Sequence, residues 1–275
     1  MEHLLAHVLG CRRLDLYLRF DTKLDEPHLR PLRELTRRRG EGEPLQHLLG
    51  TVPFHGHEFV CDHRALVPRP ETEHFVNLLV EKQLGGVTPK TILDVGCGSG
   101  CIGLSLAKAW PGTQVTLADV SEEALELTRL NSERLGLSGH SLRMIRSDLF
   151  EKLNGARFDL IVANLPYIPS AEVNGLSREV KRDPHLALDG GATGLEIIFR
   201  LATESPSHLH HDGRVALELH HDQAARVSER LQSLGFVDIQ TESDLGGIER
   251  FVFARHPSPP SSPALVKNQE SSTEH

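Results

Sequence analysis

Asn164-Leu165-Pro166-Tyr167 follows directly on the apolar run Phe158-Asp-Leu-Ile-Val-Ala163. A run with almost no alternation reads as a buried central strand, and ligands of open α/β sheets gather beyond the carboxyl ends of such strands. Chemistry is therefore expected at Asn164 to Tyr167. Asn164 is neutral and offers an amide oxygen as acceptor, which suits orienting a planar amine or amide better than acting as a base. The plain structural alternative is an Asn-x-Pro turn after a strand.

A second chemical stretch is Ile92-Leu-Asp94-Val-Gly96-Cys97-Gly98-Ser99-Gly100, a strand running into a glycine-rich turn ahead of a helix from Cys101. Glycine lets backbone approach a ligand at a helix amino terminus. Gly98, Gly100 and Gly103 also fit GxGxxG, with Asp119 nineteen residues after Gly100, so a dinucleotide fingerprint competes. The carboxylates discriminate. Asp94 precedes the glycines, where a phosphate site would avoid its charge but a ligand's ammonium group would not. Asp119 ends the second strand and can accept from two ribose hydroxyls, and Asp148, after the third, is placed for an exocyclic adenine amine. Any one of these acids could simply cap the next helix, as could Ser121. Three at successive strand ends favour S-adenosylmethionine (SAM), with contacts expected at Asp94, Gly96, Cys97, Gly98, Ser99, Gly100, Asp119, Asp148 and Asn164.

These residues need a sheet to carry them. Strands are predicted at 91–95, 114–118, 142–145, 158–163 and 214–219, alternating with helices near 101–109, 121–135, 194–203 and 222–234, which is a doubly wound α/β sheet. Strands 236–240 and 250–254 have no room for a helix between them and should pair antiparallel, completing a seven-stranded Rossmann-like sheet. Upstream, residues 2–39 carry helical periodicity, with Pro27 in a first turn and Gly40 as a stop. A hairpin is expected across Val52 to Val60, broken at His55-Gly56-His57. A helix is expected after Glu73 to Leu84, closed by Gly85-Gly86. The domains expected are a helical one over 1–50, a hairpin linker over 51–68, a SAM-binding α/β domain over 69–255 and a disordered tail over 256–275, where Pro and Ser leave nothing to bury.

Composition bounds the rest. The chain has 275 residues, 39% hydrophobic and 25% charged, and a formal charge of −8, which argues against a broad nucleic-acid footprint. Arg37-Arg38-Arg39 reads as a solvated helix face. No apolar run approaches the ~20 residues of a membrane span, and the amino terminus lacks a signal-peptide pattern, so a cytoplasmic protein is expected. Cys11, Cys61, Cys97 and Cys101 form no CxxC pair and read as reduced structural thiols. Histidines 208, 210, 211, 220 and 221 lack a partnered spacing on one element, so no metal is expected.

Taken together, Gly42-Glu-Pro-Leu-Gln-His-Leu-Leu-Gly50, Pro68-Arg-Pro-Glu-Thr-Glu73, the glycine loop, Asn164 to Tyr167, Ala187-Leu-Asp-Gly-Gly191 with Gly194-Leu195, Leu217-Glu-Leu219 and Gly235-Phe236 resemble the PrmC/HemK family over residues 4 to about 255. The resemblance implies SAM-dependent methylation of the side-chain amide nitrogen (N5) of the glutamine in the GGQ motif of class I peptide release factors. It places cofactor contacts on Gly96 to Gly100, Asp119 and Leu149. The catalytic and substrate motif falls on Asn164, Leu165, Pro166 and Tyr167, with Arg69 and Glu71 at the substrate entrance. It implies that Asn164's oxygen and Leu165's carbonyl accept the two amide hydrogens while Tyr167 stacks on the amide.

Three positions depart from the family: Leu165 for a proline, Leu149 for a tryptophan and His220 for a glycine. The chain also lacks helices that the family often has before Leu4. A monomer working without nucleic acid or membrane is expected. The competing readings are a nucleic-acid amino-methyltransferase such as an N6-adenine enzyme, a SAM-binding release-factor partner weakened through Leu165, and a nicotinamide-dependent Rossmann enzyme.

Overall fold

The structure is a computed structural model that describes residues 1–83, 86–137, 139 and 141–257. Helices α1 (Glu2–Val8) and α2 (Glu26–Gly40) flank a 3₁₀ segment, Arg13–Leu18, so the amino-terminal periodicity resolves into two helices and a 3₁₀ turn. Pro27 sits in the first turn of α2, where its missing N–H costs nothing. Gly40 is the last residue of α2 rather than its stop, and the turn falls at Gly42, with φ +90°. Helix α3 (Leu45–Leu49) then leads into the hairpin β1 (Thr51–Phe54) and β2 (His57–Val60). His55 and Gly56 both take positive φ at its tip, the conformation that two-residue hairpins favour.

Helix α4 (Pro70–Leu78) runs into a π-helical turn, Leu79–Gln83. The expected end at Leu84 and Gly85 lies outside the described residues, as does the tail from 258 onward. Beyond come β3 (Thr91–Val95), α5 (Cys101–Ala109), β4 (Gln114–Asp119), α6 (Glu122–Arg134), β5 (Leu142–Arg146) and β6 (Phe158–Asn164). After β6 a strap holds the short α7 (Ser170–Val173) and 3₁₀ turns at Val180–Arg182 and His185–Ala187. Then follow α8 (Glu196–Glu204), β7 (Leu209–Glu218), α9 (Ala224–Ser233), β8 (Val237–Ser243) and β9 (Glu249–Arg255). β7 begins five residues before the predicted start because Leu209 pairs with Phe158 across an irregular step.

The sheet order is β5-β4-β3-β6-β7-β9-β8. The first five strands are parallel, and β9 runs antiparallel to both β7 and β8. This is an α/β Rossmann-like sheet with its central strands covered on both faces. Ile92, Leu160 and Val162 pack with Phe75, Leu104 and Phe251, while Leu93, Ile161 and Ala163 pack on the opposite face with Ile198, Leu201 and Val227. Burial on both faces is why β6 reads as an unbroken apolar run.

The amino-terminal helices are tied to the strap. Arg39 pairs with Glu179, Arg178 Nη2 donates to the Gly40 carbonyl (3.2 Å), and Arg182 Nη2 donates to the Glu41 carbonyl (3.1 Å). Arg37 pairs with Glu34 and Glu41, and Arg38 with Glu43, so every arginine of the basic run meets a carboxylate of this chain. Among the described residues no helix is long and apolar enough to cross a membrane.

Helix α4 carries the Pro68 to Glu73 segment onto the sheet through Phe75, which is fully buried, stacked on Phe251 at 5.3 Å and tilted against Phe253 at 5.8 Å. Phe75→Ala is expected to cost about 3–5 kcal/mol of stability, read from urea unfolding midpoints at unchanged m.

Candidate functional site

The loop after β3 is built to bring backbone close to a ligand. Gly96, Gly98 and Gly100 have φ of +68°, +56° and +79°, a region costly for residues bearing a β-carbon. The Gly96 and Cys97 N–H groups donate to the Ala118 carbonyl at 2.8 and 3.0 Å. Helix α6 clamps the far side: Thr128 Oγ1 donates to the Gly98 carbonyl (2.8 Å) and Asn131 Nδ2 to the Ser99 carbonyl (2.9 Å).

Asp119 closes the loop from β4. Its Oδ2 accepts from the Gly98 N–H (2.8 Å) and its Oδ1 from the Ser121 N–H (2.9 Å). Burial pushes its pKa up, against those backbone hydrogen bonds, and each oxygen retains a further lone pair for a ligand hydroxyl.

Asp94 is placed differently from the sequence expectation. It is fully buried behind the glycines rather than at the cavity wall. Its Oδ2 accepts from the Gly103 N–H (2.8 Å), pinning the start of α5 to β3, and its Oδ1 has no partner. The physical reason is side-chain alternation: Asp94 points under α5, the face also filled by Ile92. Burial raises its pKa to about 7, opposed by the Gly103 hydrogen bond.

β6 delivers the second loop beside the first. Asn164 Nδ2 donates to Thr72 Oγ1 (3.1 Å) from the first turn of α4. The Leu165 side chain is buried over Gly96, where an added β-carbon would meet its Cδ2 at 2.8 Å. Gln223 Nε2 donates to the carbonyls of Tyr167 (3.0 Å) and Gly194 (3.1 Å). A β-carbon on Gly194, at φ +74°, would overlap the Tyr167 carbonyl oxygen. Gly190 is held in the same way against the Pro166 carbonyl oxygen, whereas Gly191 lies against the Glu196 side chain.

Between the loops lies a cavity of ≈ 390 Å³, within the range of small-molecule sites. The strap roofs it with Pro184, Leu186 and Ala187. Arg69 anchors that roof by donating to Asp183 Oδ2 (2.7 Å), and the Val67 N–H donates to Asp183 Oδ1 (3.3 Å). Burial raises the Asp183 pKa to about 6, with the Arg69 charge opposing.

Of the expected contacts, Gly96, Cys97, Gly98, Ser99, Asp119, Asp148, Leu149, Asn164, Leu165, Pro166 and Arg69 line the cavity. Asp148 is ion-paired with Arg200 (3.1 Å), and Leu149 holds φ +45°, a strained backbone for a leucine. Gly100 sits behind the lining as the left-handed residue that starts α5. Neither Glu71 nor Tyr167 lines the cavity; the Tyr167 ring lies 5.8 Å from that of His220.

Ser99 Oγ is buried at the wall without a hydrogen-bond partner, so an orphaned polar atom awaits a ligand group. Glycine backbone, Asp119, Asp148 and this hydroxyl together fit an adenosyl cofactor bearing an amino acid moiety.

Reading the sequence missed Glu218, Asp183 and Gln223. Glu218 left a signal, a charge inside the apolar strand Val215-Ala-Leu-Glu-Leu219, because ionisable groups are rarely buried without a role. Asp183 and Gln223 left none, since each acts on residues far away in sequence. The histidine reading changes in one place: His220, His221 and Asp222 bring ligand atoms within 4.8 Å of one another, because the turn into α9 folds ring on ring. The thiols of Cys61 and Cys101 are pushed up to about 12 by burial, and that of Cys97 is also raised, in keeping with structural roles.

Residues 1–50 match the family model described as the PrmC N-terminal domain, and residues 71–179 match the methyltransferase small domain. The chain is 42% identical over 258 residues to a release factor glutamine methyltransferase of Chlorobaculum tepidum, covering 90% of this chain and 87% of that one. It is 40% identical over 258 residues to the same-named protein of Rhodopirellula baltica, covering 91% and 86%. A 16S rRNA N2 G1207 methyltransferase of T. thermophilus, solved with AdoMet and guanosine, shares the fold at TM-score 0.53 and 22% identity, over 74% of this chain and 49% of that one. A methyltransferase from Pyrococcus furiosus does so at 0.52 and 21%, over 73% and 89%.

Asp94 gives a pH signature. Its native pKa of about 7 lies above the unfolded value of about 3.9. The native state therefore holds a proton that the unfolded chain releases, and this contribution to stability, present at acid pH, is lost as pH rises through about 7. Asp94→Asn is expected to reduce the fall in urea midpoint between about pH 5 and pH 8 relative to wild type.

Proposed function

This chain belongs to the family of release factor glutamine methyltransferases, and we propose that it transfers a methyl group from SAM to the N5 side-chain amide nitrogen of the glutamine in the GGQ motif of class I peptide chain release factors. The observation that carries this reading is that Asn164, Leu165 and Pro166 line the same cavity as the Gly96 to Ser99 loop.

When bound, SAM supplies an electrophilic sulfonium methyl. Gly96, Gly98, Ser99, Asp119, Asp148 and Leu149 would hold it. An amide nitrogen is a poor nucleophile because its lone pair is delocalised into the carbonyl. Asn164 and Leu165 answer that difficulty. With Nδ2 engaged by Thr72, Asn164 has its Oδ1 left to accept one amide hydrogen, and the Leu165 carbonyl accepts the other. Fixed acceptors of this kind favour a pyramidal nitrogen and meet its developing positive charge without reorganisation. Alignment can contribute roughly 7–11 kcal/mol to the barrier reduction. Asn164 takes no proton; the methylated nitrogen is acidic and loses its own to solvent.

Leucine in place of proline leaves this chemistry intact, because the contribution asked of residue 165 is its carbonyl. Pro166 still holds residue 165 in extended backbone, and burial over Gly96 fixes the side chain. Arg69, bonded to Asp183 at the cavity wall, and Glu71, in the first turn of α4, are assigned to the substrate entrance. The chain is proposed to act as a cytoplasmic monomer; the charge of −8 and the internal pairing of Arg37, Arg38 and Arg39 support a protein substrate without direct nucleic-acid contact.

Incubated with SAM and a class I release factor, the wild-type protein is expected to add the mass of one methyl group to the GGQ-containing peptide. Unmodified peptide would refute the reading. Asn164→Ala is expected to lower kcat by at least ~10²-fold, measured in single-turnover methylation. Asp119→Ala, which removes a charged acceptor, is expected to weaken SAM binding by about tenfold to 10²-fold in calorimetry.

A further inference from the structure

Glu218 ends β7, pairs in register with Asn164 of β6 and is 3% exposed. It does not line the cavity. The side chains of Thr72 and Asn164 lie within hydrogen-bonding reach of its carboxyl group, whose Oε2 has no partner. A buried carboxylate is expensive to keep, and the methyl-transfer chemistry assigned above does not use this one.

We propose that Glu218 is a positioning residue that fixes which way round the Asn164 amide stands. The argument is one of hydrogen-bond direction and rests on the function proposed above. Asn164 Nδ2 donates to Thr72 Oγ1 at 3.1 Å. A hydroxyl has one proton, so Thr72 can accept from Asn164 only while donating that proton elsewhere, and the Glu218 carboxylate takes it. An ionised carboxylate accepts only. Facing it, Asn164 must turn its N–H donors towards Thr72 and Glu218, which leaves Oδ1, the acceptor, for the amide nitrogen of the substrate.

Protonation of Glu218 removes the constraint. A carboxylic acid can donate to Thr72, Thr72 can then donate to Asn164 Oδ1, and the amide is free to flip its donors towards substrate hydrogens. Several groups set the protonation. Burial raises the Glu218 pKa to about 7, against the Thr72 hydrogen bond; Glu71 on α4 raises it further, while the Arg250 charge on β9 and the Asn164 hydrogen bond lower it. Tyr167, beyond β6, and Cys101, on α5, also feel the Glu218 charge, but both stay neutral because burial raises their own pKa values. Methyl transfer is thus expected to rise with pH through neutrality and then level off.

The test uses single-turnover methylation of a class I release factor by wild type, Glu218→Gln and Thr72→Val from about pH 6 to pH 9. Both variants are expected to lose at least about tenfold in rate with SAM affinity unchanged, and Glu218→Gln to lose the acid limb of the wild-type profile. In parallel, the Asn164 side-chain amide resonances of the unliganded protein, assigned by their absence in Asn164→Ala, are expected to titrate in wild type and not in Glu218→Gln. Wild-type rates and an unchanged acid limb in Glu218→Gln would overturn the proposal, as would amide resonances that do not move with pH in wild type. Failure of wild type to methylate the release factor would strike the proposed function instead, and the resonance titration would still decide the relay.

Discussion

Val95 pairs with Ala163, and Asn164 with Glu218, across parallel strands β3, β6 and β7. Parallel pairing makes the strands end on the same side of the sheet, so the glycine loop after β3 and the Asn164 loop after β6 leave it as neighbours. Everything chemical in the molecule depends on that register. A slip of one residue would turn Asn164 to the opposite face and bring a neighbour into its place beside the cavity. The apolar side chains on both faces forbid such a slip, since each would exchange its buried contacts for the wrong layer.

Close backbone approach holds the rest. Leu165 fills the space that Gly96 leaves, and the Tyr167 carbonyl fills the space that Gly194 leaves. Gln223 binds the second junction from α9. Glycine is required at these places by its neighbours and not by turn geometry alone. The glycine loop after β3 and the Asn164 loop after β6 therefore behave as one packed unit, and a change in either is felt by the other.

Two buried carboxyls sit behind this unit with one oxygen each unpartnered, Asp94 and Glu218. Their burial is unfavourable to the charged form, which is why both pKa values rise to about 7. Asp94 supports the turn through Gly103, whereas Glu218 pairs in register with Asn164. The difference comes from position on the strand. Asp94 lies one residue before the end of β3 and points under α5, while Glu218 lies level with Asn164.

The sequence by itself determined the order of strands and helices, because apolar runs, glycine stops and polar interruptions are local properties. It also determined the glycine loop, Asp119 and the Asn164 motif, whose residue types are chemically unusual where they stand. Boundaries slipped where local signals conflict with packing, as at Gly40, which helix geometry absorbs, and at Leu209, which pairs only because Phe158 is there. What the tertiary structure alone decided is which groups face one another. Asp94 looked like a ligand contact from its place before the glycines, yet alternation turns it beneath α5. Thr72, Asp183, Glu218 and Gln223 come from separate segments, and hydrogen bonds between residues that far apart exist only once the sheet has set their register.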